Sequence, residues 1–144
     1  MSAALMVALF FTVALLVTHA YFLMGSVPLL ILKHDIPMDS RFVRSFYNTY
    51  YLAAAFNASA AAMSFAVAGR LLFALAAAAL ALLGVVLRRR VLPRMDSLQA
   101  QIQACVTSAI PAFRRIHVAA ILVNLAQLAF IVWSLVAASI QLKQ

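Results

Sequence analysis

Charge is scarce in this sequence. Of 144 residues, 10% are charged, three are acidic, and the stretch from Met1 to Leu32 carries no charged side chain. Soluble globular chains average about 25% charged residues, so an ordinary water-soluble enzyme is excluded. Cysteine is limited to Cys105, which rules out an intrachain disulfide framework and a thiolate metal cage. Three glycines leave no glycine-rich phosphate loop. The acidic residues Asp35, Asp39 and Asp96 read as local neutralisers or helix caps, because none has a second carboxylate placed for acid–base work. No basic residue precedes Lys33, so the charged segment of a cleavable leader is missing, and the first apolar run is expected to stay in the mature protein.

What remains is hydrophobic, 67% of the chain, with a mean hydropathy of +1.07. Four apolar segments stand out, at about residues 3–32, 47–69, 71–87 and 118–140. Continuous runs rather than alternation, and the need of bilayer backbone to satisfy its own hydrogen bonds, favour helices over strands. The expected fold is an all-α integral membrane protein, one domain over residues 1–144, built as a four-transmembrane-helix bundle. Gly25 and Pro28 predict a kink or an early end to the first span. Gly69 and Arg70 alone join spans two and three, predicting an antiparallel hairpin whose alanine-rich faces pack closely. Met95, Leu98, Ile102, Cys105, Val106, Ile110 and Phe113 recur at three- and four-residue spacing, predicting a further cytoplasmic amphipathic helix over about residues 93–110. That helix either lies along the headgroups or extends span three as a stalk.

Lys33, Arg41, Arg44, Arg88, Arg89, Arg90, Arg94, Arg114 and Arg115 lie in two connections that share one side of a four-span protein, against Arg70 and Lys143 opposite. The positive-inside rule then puts that side in the cytoplasm and both termini outside, in a bacterial inner membrane. The net charge of +8 thus points to anionic headgroups rather than nucleic acid. Arg41, Arg44, Arg88, Arg89, Arg90, Arg114, Arg115 and His117 form the expected cytoplasmic basic rim. Tyr47, Tyr50, Tyr51 and Trp133 read as interfacial anchors.

Polar side chains at membrane depth are the candidate site, because hydrocarbon penalises them unless they find partners. Helical rise places His19 roughly 20 Å, Asn57 roughly 15 Å, Asn124 roughly 12 Å and Gln127 roughly 16 Å from the cytoplasmic end of their spans. They define a midplane polar layer. It reads as interhelical hydrogen bonding that fixes register or, alternatively, as a small-molecule, proton or ion site in which His19 titrates, histidine's ordinary range lying near neutrality. No catalytic residue, metal site or cofactor is predicted. A haem on His19 or His117 is the alternative weighed, and depth separates those two residues.

Val91-Leu92-Pro93-Arg94-Met95-Asp96-Ser97-Leu98, then Phe113-Arg114-Arg115-Ile116-His117, then Asn124-Leu125 resemble the small bacterial proteins related to transmembrane protein 205. Gly25-Ser26-Val27-Pro28 is compatible with the same pattern. The resemblance implies four membrane helices and no established reaction, with Phe113, His117 and Asn124 as marked positions. Ala119 and Ala120 stand where a serine or other small polar residue is expected. The chain is also similar to the anthrone-oxygenase-like family of small four-span proteins, which carries a histidine near its last helix. The functional expectation is therefore a structural or accessory membrane protein, a homo-oligomer or a partner in a larger complex. A carrier using the midplane layer and a membrane oxidoreductase or cofactor-binding subunit using His19 or His117 are the alternatives.

Overall fold

The helices of this protein turn oily faces outward, and their inward faces carry buried polar groups among apolar ones. The computed structural model describes residues 2–31 and 37–141. Among these are four helices, α1 (Ala3–Leu29), α2 (Pro37–Val67), α3 (Leu71–Gln103) and α4 (Ala109–Gln141), each long and apolar enough to cross a membrane. Phe10, Met24, Leu72, Leu82 and Trp133 are exposed, whereas Thr12, His19, Ser26, His117, Asn124 and Gln127 are buried. A water-soluble bundle would reverse that distribution.

α2 packs against α1 and α3, and α4 packs against the same two, so the helices form an up-down ring. α1 and α3, like α2 and α4, face each other across diagonals without close backbone approach. Inward positions follow a spacing of three and four residues, as in Ala8, Thr12, Leu15, His19, Phe22 and Ser26 of α1. That rhythm is the seam of a left-handed supercoil.

The predicted hairpin is present. Gly69 adopts φ +72°, Arg70 N–H donates to the Phe65 carbonyl at 2.9 Å and Gly69 N–H to that of Ala66 at 3.0 Å. This closes α2 with a Schellman turn, where glycine avoids the left-handed steric penalty. From the turn, Ala54, Ala58 and Ala61 of α2 meet Ala74, Ala77 and Ala81 of α3, all buried. Small side chains let these two backbones approach, so dispersion contacts replace the hydrophobic drive that lipid cannot supply.

No separate amphipathic helix covers residues 93–110: of the two arrangements expected for it, residues 93–103 take the second and extend α3. α3 continues through Pro93 to Gln103, and α4 begins at Ala109, taking in Pro111 in its first turn. Pro93 and Arg89 are exposed, so the carbonyl that loses its helical donor faces outward. Met95 and Ile102 do point inward, but Cys105 sits at the tip of a second Schellman turn with φ 59°, Val106 N–H reaching the Gln101 carbonyl at 3.0 Å. The apolar rhythm thus belongs to the ends of two helices that meet at a turn. α2 likewise starts ten residues before the expected span, and α4 nine. These extensions, with the far end of α3, carry every arginine except Arg70.

Candidate functional site

The deepest polar cluster lies where α1, α2 and α4 converge. α1 contributes His19 on its inward seam, 1% exposed. Its Nδ1–H donates to the Leu15 carbonyl one turn back at 2.9 Å, and its Nε2 stands 2.9 Å from Gln127 Oε1 on α4. A neutral imidazole that donates through Nδ1 keeps a lone pair at Nε2, so it is the amide NH2 of Gln127 that completes the pair when that amide is turned toward the ring. The bond joins α1 to α4 inside a volume that excludes solvent.

One turn away, the Tyr50 hydroxyl of α2 donates to Asn124 Oδ1 of α4 at 2.5 Å. Its ring packs edge-on against His19 at 5.3 Å and stacks on Phe22 at 3.9 Å between centroids. Tyr47 donates to the His117 backbone carbonyl at 3.1 Å, with the two rings edge to face at 5.5 Å. Since α2 and α4 are diagonal partners, only a side chain as long as tyrosine reaches across. Tyr47, Tyr50 and Tyr51, expected as interfacial anchors, are therefore core residues, at most 5% exposed. Their spacing of three and four residues continues the inward seam of α2, the signal that could have placed them. Asn124 Nδ2 and the Tyr51 hydroxyl are buried and make no hydrogen bond.

The sequence-expected layer is brought together in part. His19, Asn124 and Gln127 are all buried, His19 pairing with Gln127 and meeting Asn124 through Tyr50. Asn57 does not join it: half-buried, it donates to Thr18 Oγ1 at 3.2 Å and ties α2 to α1 on the neighbouring face. His117, expected in the basic rim, is fully buried beneath Tyr47. The two histidines belong to different levels. Gln127, the neighbour of His19, lies ten residues beyond His117 along α4, roughly 15 Å of helical rise. Among the described residues no group of three or more His, Cys, Asp or Glu side chains could hold a metal ion.

The remaining rim residues divide into two groups. Three arginines tie helices together: Arg44 grips Asp96 with bonds of 2.7 and 3.0 Å, Arg88 donates to Asn48 Oδ1 at 3.0 Å, and Arg114 donates to the Leu30 carbonyl at 3.3 Å. Asp96 is thus a cross-helix partner and not a cap. Arg41, Arg89, Arg90, Arg94 and Arg115 are exposed and form no ion pair among the described residues. Deeper in the bundle, beyond Leu15, a core cavity of about 30 Å³ lies among Thr12, Ala61, Phe73, Ile131 and Ser134. Its wall is largely apolar, and the hydroxyls of Thr12 and Ser134 are already bonded to the carbonyls of Ala8 and Phe130. No family model, curated protein or solved structure matches the chain.

Proposed function

We propose that this is a non-catalytic integral membrane protein of the bacterial inner membrane, a structural or accessory bundle that works as a homo-oligomer or as a partner in a larger membrane complex. The arginine-bearing ends of the helices face the cytoplasm and both termini lie on the opposite side. Within this reading, the layer of His19, Tyr50, Asn124 and Gln127 fixes the register of three helices. One observation carries the reading: the layer holds two cross-helix pairs, His19 with Gln127 and Tyr50 with Asn124, whose side chains are closed off from the surface. A pathway for a solute needs polar groups that line an opening. Tyr50 borders a hollow of about 310 Å³ between α1 and α2 whose other walls, Val17, Phe22, Phe46 and Ala53 among them, are largely apolar, and the 30 Å³ cavity beyond Leu15 is apolar as well.

A second reading has a specific observation in its favour. Asn124 Nδ2 and the Tyr51 hydroxyl are buried donors without acceptors, which suits a small polar guest or a proton pathway through His19. The two readings separate in proteoliposomes. The structural reading expects no proton or potassium flux above that of protein-free vesicles, with His19→Leu changing stability alone. Flux that disappears in the His19→Leu protein would replace it by transport. Reporter fusions to the two ends test orientation, and both are expected outside.

A further inference from the structure

The five exposed rim arginines that form no ion pair among the described residues are unevenly placed, and two of them border a groove. Between α3 and α4 runs a hollow of about 160 Å³ walled by Leu87, Val91, Ile116, Ala120 and Val123, with Arg90 and Arg94 at its edge. Arg90 and Arg94 are four residues apart on α3, so they project from one face a turn apart. Ala119 belongs both to this groove and to an adjoining open hollow of about 430 Å³ that Arg114 and Arg115 border. The groove runs from the arginines toward Leu87, where the apolar run of α3 ends. It therefore presents fixed positive charge at headgroup level and an apolar trough, floored by alanines, at acyl-chain level.

We propose that this groove seats one anionic phospholipid, its phosphate held by Arg90 and Arg94 with Arg115 alongside, and one acyl chain laid against Leu87, Val91, Ala119 and Val123. Charge complementarity selects the occupant. The chain has three acidic residues in all, Asp96 is taken by Arg44, and among the described residues no carboxylate forms an ion pair with Arg90, Arg94 or Arg115. Basic pockets between membrane helices hold phosphate headgroups in this way. A free phosphate would leave the trough uncovered, and a zwitterionic lipid would bring a cation beside the arginines.

The proposal rests on the bundle spanning a bilayer, which carbonate-resistant flotation of the full-length protein reads independently. Binding is measured by native mass spectrometry of the detergent-solubilised full chain titrated with dioleoylphosphatidylglycerol, dioleoylphosphatidylcholine or inorganic phosphate. Phosphatidylglycerol is expected to bind at one site, with affinity about thirtyfold lower in Arg90→Gln/Arg94→Gln. Ala119→Leu, which fills the trough and keeps the charge, is expected to weaken binding as well. Arg41→Gln/Arg89→Gln removes the same charge from other faces and is expected to leave affinity within about threefold of the parent. Equal loss in both arginine pairs would reduce the effect to diffuse attraction and overturn the site. So would equal binding of phosphatidylcholine, or inorganic phosphate binding as well as the lipid. Failure with flotation intact refutes the lipid site and leaves the membrane reading standing.

Discussion

Replacing His19 by leucine is the sharpest probe of the buried layer. The ring is 1% exposed, its partner Gln127 7%, and their contact of 2.9 Å joins α1 to α4. An interhelical hydrogen bond inside a membrane protein contributes on average about 0.6 kcal/mol and up to about 1.7. The larger cost follows from what remains. Gln127 would keep a buried amide with no acceptor or donor opposite it, and an orphaned polar group costs roughly 1–3 kcal/mol. His19→Leu alone should therefore destabilise by about 2–4 kcal/mol, and Gln127→Leu by about 1–3, since the Nδ1 bond to Leu15 survives it. The double variant removes both polar partners and fills the space with hydrocarbon, so its cost should approach that of His19→Leu alone, a coupling of about 1–3 kcal/mol. Reversible unfolding in mixed micelles, followed by helix signal against denaturing detergent, measures all four corners of the cycle. If the two single effects add to within about 0.3 kcal/mol, the pair does not carry the layer and the reasoning fails.

Further outcomes follow from the same packing. Tyr50→Phe should cost about 1–2 kcal/mol, because Asn124 loses its donor, whereas Tyr51→Phe should be neutral or stabilising, its hydroxyl having no partner; thermal unfolding compares them directly. On the α2–α3 seam, a Cβ at Gly84 would meet Ala55 at an ordinary 4.0 Å, so Gly84→Ala should gain up to about 1 kcal/mol. Ala58→Leu, at a fully packed position, should lose about 1–3 kcal/mol in the same unfolding assay. Cys105 holds a left-handed conformation that glycine adopts freely, so Cys105→Gly should stabilise the α3–α4 turn by about 1 kcal/mol; an unchanged midpoint would show that the turn bears no strain.

The boundaries of the helices show where sequence patterns stop informing. Apolar runs gave the spans, but α2, α3 and α4 are longer than their runs, because the arginine-bearing stretches remain helical outside the apolar zone. Pro93 looked like a helix start and sits inside α3, since an exposed proline turn is tolerated where the freed carbonyl is not buried. The polar layer was visible in His19, Asn124 and Gln127 because a polar residue inside an oily run stands out. The tyrosines beside it did not stand out, since a tyrosine near the end of a span is equally at home in an interfacial belt.

Composition and pattern alone determined the number of apolar spans, their oily outward faces, the hairpin at Gly69 and the crowding of basic residues at one end. Each of these is set by solvation or by local backbone geometry, which a residue carries wherever it is placed. Tertiary structure decided which side chains meet. It sent Asn57 to Thr18 and away from His19, buried His117, took Tyr50 across a diagonal to Asn124, and left Arg90 and Arg94 beside a groove. Those outcomes depend on how four helices rotate against one another. With apolar residues all round each helix, hydropathy gives almost no measure of that rotation, and the fit of tyrosines, alanines and buried amides fixes it.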